Sequence, residues 1–382
     1  MKIAIVRREP KVAFSMDVYA DNLVTELKII RPDWEIVEIA PQPWSKDLEN
    51  LWQSGNPLRK YYERFYNHPR AVKELDADLF HIIDHTNGHV AYWLKKLGKP
   101  VVVTCHDLVQ YIYPEILKNQ SRFPAFSMAV WKYSVRGIQT ADRTIAVSNN
   151  TAQDVSNWLD VNPDQIAVVP NGVESEFRPL SKDIVSQWRS QYSNVDDEIC
   201  LLNIGSTHQR KNIFTILKVV ESIAKQGIPV RLWKICDDFS REQQQYIQEH
   251  NLSEQITFIG KCDRESLVRF YNAADVLLAP SIYEGFGLTI LEAMACGTPV
   301  ITANVSSLPE VAGNAAITLA PTDVEGITKA VLRLHQDSGL RACLIQKGLE
   351  RVKNFSWNSS VRQIVDVYEH LTVLSERTIV SS

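Results

Sequence analysis

A chain of 382 residues is longer than one hydrophobic core usually serves, so two domains are expected. With 45% hydrophobic and 23% charged residues, 15 Gly and 17 Pro, the composition excludes fibrous, collagen-like and largely disordered proteins. A formal charge of −4 leaves no broad basic surface for tracking phosphate backbones, which argues against nucleic acid as the principal partner.

Short β-branched runs alternate with helical patterns from the start: Ile3 to Val6, Glu35 to Ile39, Leu79 to Ile83, Val101 to Cys105, Thr144 to Val147 and Ile166 to Val169. Alternation of this kind predicts a parallel, doubly wound α/β sheet. Pro170-Asn-Gly-Val-Glu-Ser-Glu-Phe-Arg-Pro179 then punctuates the chain as a connection. A second series follows at Ile199 to Ile204, Val230 to Ile235, Ile256 to Ile259, Val276 to Ala279, Pro299 to Thr302 and Ala316 to Leu319. Two Rossmann-like domains are therefore expected, over 1–175 and over 183–356. Beyond Ser356, a candidate N-cap, the spacing of Val361, Ile364, Val365, Tyr368 and Leu371 predicts an amphipathic helix over 357–382 that covers a surface of the first domain.

The six cysteines (Cys105, Cys200, Cys236, Cys262, Cys296 and Cys343) lie too far apart for a zinc or dithiol pattern and read as reduced thiols. No metal site is expected. Lys2-Ile-Ala-Ile-Val6 reads as a strand instead of a secretion signal, and no apolar run reaches membrane-spanning length, so a cytoplasmic location is expected. Asn56-Pro-Leu-Arg-Lys-Tyr-Tyr-Glu-Arg-Phe-Tyr-Asn-His-Pro-Arg70 interleaves basic and aromatic residues. It suits peripheral contact with an anionic inner membrane face, and it equally suits a helix packed on the first sheet. Trp44 and Trp52 read either as sugar-stacking rings or as core.

Open parallel sheets bind ligands at the carboxyl ends of their strands. Three segments there carry candidate chemistry. Pro280-Ser-Ile-Tyr-Glu-Gly-Phe-Gly-Leu-Thr-Ile-Leu-Glu292 follows a strand and opens a helix near Leu288, and free amides at a helix start favour phosphate. Gly285 and Gly287 let the backbone approach the anion without Cβ obstruction. Ile204-Gly-Ser-Thr-His-Gln-Arg-Lys-Asn212 offers Gly205 for a turn, with Arg210 and Lys211 as cations able to meet an anion. Val101-Val-Val-Thr-Cys-His-Asp-Leu108 ends a buried-type strand in His106 and Asp107. Each stretch read alone also fits an ordinary loop: a glycine turn with solvated acids, exposed cations and a capping histidine.

The segment from Glu284 onward resembles the Glu-x7-Glu signature of retaining glycosyltransferases of family 4, with Leu-Glu-Ala-Met-Ala-Cys-Gly-Thr-Pro-Val300 continuing the match. Val169-Pro-Asn-Gly-Val173 and Tyr271-Asn-Ala-Ala-Asp-Val276 resemble other stretches of that family in the same order. The resemblance implies the GT-B arrangement, two such domains facing a central cleft. It also implies a nucleotide-sugar donor serving as substrate with no separate cofactor, no required metal, and retention at the anomeric carbon. On matching motifs it implies that Glu284, Gly285 and Phe286 line the donor sugar. The Gly287, Leu288 and Thr289 backbone would meet the distal phosphate, and Glu292 the ribose. Arg210 and Lys211 would hold the diphosphate beside Gly205, and His106 would approach the sugar.

The expected activity is transfer of a hexose from a GDP- or UDP-linked donor to a glycan or lipid-linked acceptor in cell-surface polysaccharide or glycolipid synthesis. Glu284, Lys211 and His106 are the expected catalytic groups, while Ser15 and His85 are acceptor-side candidates. The first loop, Arg8-Glu-Pro-Lys-Val-Ala-Phe-Ser-Met16, lacks the paired glycines frequent in relatives, and Cys236 stands where they often carry glycine. A nucleotide-sugar epimerase on the same scaffold and a non-catalytic nucleotide-sugar-binding subunit are the alternatives.

Overall fold

The computed structural model describes residues 1–10, 12, 14–45, 52, 57–115, 123–193 and 197–380. The chain divides into two compact units, residues 1–172 with 357–382 and residues 173–356. The division falls between Gly172 and Val173, and the connecting stretch 176–182 belongs wholly to the second unit. There the Val173 amide donates to the Phe355 carbonyl, the Phe177 ring packs edge-on against Tyr271, and the Asn272 side chain accepts from the Leu180 amide.

The first unit is a six-stranded parallel sheet, β1 Lys2–Val6, β2 Glu35–Ile39, β3 Leu79–Ile82, β4 Val101–Cys105, β5 Arg143–Ala146 and β6 Ile166–Val168, in the order β2-β1-β3-β4-β5-β6. The direction of winding changes between β1 and β3. Strand β4 is buried along its whole length, which is why Val101, Val102 and Val103 form an unbroken apolar run. Helix Trp357–Val380 lies on one face of this sheet and buries Trp357, Val361, Ile364, Val365, Tyr368 and Leu371 among residues of β1, β3, β4 and β5.

That helix is also tied in through a buried polar chain. His81 Nδ1 meets the Tyr368 hydroxyl at 2.5 Å and its Nε2 meets Thr104 Oγ1 at 2.7 Å, while the Tyr19 hydroxyl reaches the same threonine at 3.1 Å. Trp44 is buried edge-on against Trp52 and spends its indole N–H on the Trp52 carbonyl, so it packs within the protein.

The second unit repeats the architecture with β7 Ile199–Gly205, β8 Val230–Cys236, β9 Ile256–Gly260, β10 Val276–Ala279, β11 Val300–Ala303 and β12 Ile317–Leu319, in the order β12-β11-β10-β7-β8-β9. Here the winding reverses between β7 and β10, leaving the carboxyl ends of those two strands side by side. Among the described residues no helix is long and apolar enough to cross a membrane.

Burial holds three first-unit histidines neutral, His68 down to about 4, His81 to about 3 and His89 to about 3, against an ordinary 6.5. In the unfolded chain they protonate near 6.5, so the unfolded state binds more protons below that pH. Stability is therefore complete above pH 6.5 and is lost as pH falls toward the folded values, by up to about 1.4 kcal/mol per pH unit for each ring. Thermal denaturation should show a plateau in Tm from pH 7 to 8 and a steady fall from pH 6.5 to 4.5. A flat profile across the lower range would refute the buried-neutral assignment.

Candidate active site

In a doubly wound sheet the crevice lies where the winding reverses, because the loops leaving the two central strands turn to opposite faces. In the second unit those loops follow β7 and β10. The β7 loop closes a turn over Gln209–Lys211 and then passes through Asn212 in the left-handed region (φ 55°). The Asn212 amide donates to the Pro280 carbonyl at 3.0 Å and the Pro321 carbonyl at 2.6 Å, fastening the loop to the ends of β10 and β12. The Ile282 amide donates to the Arg210 carbonyl at 2.7 Å. The basic pair is thus held against the β10 loop before any side chain is considered.

The side chains then converge on Glu284. Arg210 donates to its Oε2 at 2.6 Å, Lys211 Nζ to its Oε1 at 2.5 Å, and the Ser281 hydroxyl to Oε1 at 2.7 Å. The Glu284 side chain is 12% exposed. Burial works against its ionisation, but Arg210 and Lys211 outweigh it and hold the carboxyl down at about 2. Burial pushes the Lys211 ammonium down, with Glu284 pulling the other way. The Glu284 backbone is pinned as well, its amide donating to Ser306 Oγ and its carbonyl accepting from Ser307 Oγ.

Gly205 ends β7 with φ 128°, and a Cβ there would stand 3.5 Å from Lys211 Cε, so the lysine stem lies across this glycine. Gly287 has φ 106° immediately before the helix Leu288–Ala295. The first amides of that helix, at Leu288 and Thr289, have no carbonyl one turn back to receive them. With the helix dipole behind them they form an anion-binding edge.

Phe286 is buried against Phe355, so its backbone lines this edge while its ring anchors the loop. Glu292 lies on the same helix and accepts from the Tyr271 hydroxyl at 2.6 Å. Burial raises its pKa, and that hydrogen bond opposes the shift.

The remaining candidates lie in the first unit, at its own winding reversal. His106 is buried after β4, its Nε2–H donating to the Ile83 carbonyl at 2.8 Å and its ring edge-on to Tyr19. The proton is therefore on Nε2, leaving Nδ1 as the acceptor. The His106 amide donates to His85 Nδ1 at 3.4 Å. Ser15 is exposed in the first turn of the helix Phe14–Ile30, while Ala13 and Asn56 lie outside the described residues.

Composition gave no notice of Arg8 and Asp84. Arg8 pairs with the buried Asp84 at 2.9 Å, and the carboxyl is kept well below its usual range despite burial, by Arg8, His85 and His106. Charged residues directly after β1 and β3 were the signal. Ser281, Ser306 and Ser307 carried none, because short loop serines are ordinary.

A polar cavity of about 290 Å³ lined by Arg189, Glu198, Asp275 and His335 sits at the opposite, amino edge of the second sheet. There Arg189 is already spent on Asp275 and the Glu198 carbonyl.

Comparison with known proteins agrees with this geometry. The family model for glycosyl transferases group 1 matches residues 185–351, and that for glycosyltransferase family 4 matches residues 16–177. The chain belongs to the glycosyltransferases of family 4, built on the GT-B fold.

It is 26% identical to the Escherichia coli serotype-specific mannosyltransferase WbdA over 81% of this chain and 38% of that protein, so it spans about two fifths of that relative's length. It is 29% identical to the E. coli O-antigen chain mannosyltransferase B over 73% of each chain. Among solved structures, sucrose-phosphate synthase from Thermosynechococcus elongatus superposes with TM-score 0.78 at 23% identity, covering 98% of this chain and 100% of that one. Anabaena HepE in complex with UDP and glucose superposes at 0.75 and 17% identity, covering 97% and 99%. Relatives named for sugar transfer do not favour the epimerase alternative.

Replacing Gly287 with Ala puts a side chain into left-handed backbone, with its Cβ 3.1 Å from Leu308 Cδ2. The expected cost is about 1–2 kcal/mol of stability, with displacement of the Leu288 and Thr289 amides. G287A should show a lower Tm and weaker nucleoside-diphosphate binding in calorimetry, and unchanged values in both would contradict the site.

Proposed function

We propose that this chain is a retaining hexosyltransferase that uses a nucleoside-diphosphate sugar and elongates a glycan or lipid-linked acceptor in cell-surface polysaccharide or glycolipid synthesis. The observation that carries the reading is the Arg210–Glu284–Lys211 cluster beside the open amides of Leu288 and Thr289. Without donor, Glu284 supplies the negative charge that the two cations require. A bound diphosphate supplies it instead, releasing the carboxylate to accept hydrogen bonds from sugar hydroxyls.

Breaking the bond between C1 and the phosphate oxygen leaves an additional negative charge on the diphosphate. Fixed cations and amides stabilise that developing charge more than the ground state, which is the differential that accelerates transfer. The acceptor oxygen forms its bond to C1 on the face the phosphate leaves, and its proton passes to the departing phosphate oxygen. Once released, the Glu284 carboxylate accepts hydrogen bonds from sugar hydroxyls, which is a binding role and not that of a nucleophile. This chemistry asks for no metal or separate cofactor. The mannosyltransferase names of the E. coli relatives put GDP-mannose first among donors to test.

The first unit supports contact with an anionic membrane face on the cytoplasmic side, where lipid-linked acceptors are presented. Tyr62, Tyr66, Phe126 and Tyr133 are exposed, and ring contacts gather them into two groups, Tyr62–Tyr66–Trp93 and Phe126–Tyr61–Phe65–Tyr133. Exposed Arg59 lies on the helix of Tyr62, and exposed Lys73, Lys95, Lys96 and Arg136 lie on helical turns that follow within a few residues of Tyr66, Trp93 and Tyr133, while Glu63 is buried and bonded to the Gln42 amide and Asn67. Interfacial aromatics with basic neighbours suit anionic lipid.

Two outcomes are expected. K211A and E284A should each lose at least a hundredfold in kcat with the fold retained, E284A at a lowered Tm because it leaves two neighbouring cations without their anion, and a fully active double variant would sink the site assignment. The full chain should sediment with vesicles containing phosphatidylglycerol but not with pure phosphatidylcholine, and Y62S/F126S with K95E/K96E should abolish this. Equal binding to both vesicle types, or none, would remove the membrane reading.

A further inference from the structure

Lys234 lies in the middle of the second sheet, on β8, at a position where the alternation of a buried parallel strand calls for an apolar side chain. It is 0% exposed. Its ammonium turns along the strand to the carboxyl edge and donates to the Gly205 carbonyl at 2.5 Å and the Ile235 carbonyl at 3.0 Å. Among the described residues no carboxylate forms an ion pair with it; the charged and titratable groups around it are Lys211, the Cys236 thiol, Asp237 and Asp238. A buried cation without a carboxylate is costly and is retained where something else supplies the charge.

The two carbonyls it holds end the neighbouring strands β7 and β8, and the Lys211 stem crosses Gly205. Left uncovered, carbonyl oxygens this close to the Lys211 stem would add negative potential where phosphate oxygens arrive. We propose that Lys234 is a positioning residue for the donor diphosphate: its ammonium occupies the Gly205 and Ile235 carbonyls beneath Lys211, so that the phosphates meet a second layer of positive charge. This rests on the donor site of the preceding section.

The buried counter-charge is then the ligand itself. The free enzyme's Lys234 is pushed down by burial to about 8, so its cation is present below that pH and lost above it. Diphosphate binding restores its proton affinity and draws protons in at alkaline pH.

The test is calorimetric titration of the full chain with UDP, GDP and ADP at pH 7 and pH 9.5, alongside K234M, K234Q and K211A. For the nucleotide that binds, wild-type affinity should fall about tenfold across this range. K234M should bind roughly tenfold more weakly at pH 7 with most of the pH dependence gone, and its Tm should be no lower, since an unpaired buried charge has been removed.

K234Q keeps donor hydrogens without charge and should follow K234M. Wild-type affinity and pH profile in K234M, or a fall in Tm with affinity unchanged, would reduce Lys234 to a staple between strands and overturn the inference. If K211A loses binding while K234M does not, only this inference fails. If the wild type binds none of the three nucleotides, the donor reading fails and takes the inference with it.

Discussion

One constraint governs the second unit: the carboxyl ends of β7 and β10 lie side by side at the point where the sheet reverses its winding, and Glu284 is clamped there between Arg210 and Lys211. Two like charges brought together by a tight turn repel unless an anion stands between them. The β10 loop provides that anion, and the backbone bond from Ile282 to the Arg210 carbonyl keeps the two loops together. Asn212, Ser306 and Ser307 hold the same arrangement from behind. With two cations against one carboxylate the empty cluster keeps a net positive charge, and its cations are already fixed in place, so an anion arriving there would require little reorganisation.

The first unit solves a comparable problem with different residues. Its winding reverses between β1 and β3, and the charged pair there is Arg8 with Asp84, flanked by His85 and His106. The paired glycines frequent in relatives are replaced by a bulky loop whose arginine is anchored on a buried carboxylate. A loop made of glycine admits a ligand to its backbone, whereas this one presents a guanidinium. Asp84 keeps that guanidinium in one place.

Much of this was legible in the residues. The alternation of apolar runs and helical patterns set out both parallel sheets, since a strand buried on two faces has no polar position to spare, as in Val101–Cys105. Glu284 and Lys211 could be singled out through the resemblance to family 4, since each stretch read alone also fits an ordinary loop. Arg8, Asp84 and Lys234 were not legible as partners. Arg8 and Asp84 stand 76 positions apart, and a lysine within an apolar strand carries no local sign of what its ammonium reaches.

By itself, the sequence determined the class of fold, the two series of strands and the glycine-led helix start. Each of these follows from short-range periodicity or from a turn's demand for glycine. Only the tertiary structure decided that Glu284 bridges both cations, that His106 carries its proton on Nε2, and that Lys234 lies beneath Gly205. Those facts depend on which strands become neighbours and on how far a side chain is withdrawn from water. Hydrogen-bond partnership and burial are properties of the packed sheet, and no local pattern of residues contains them.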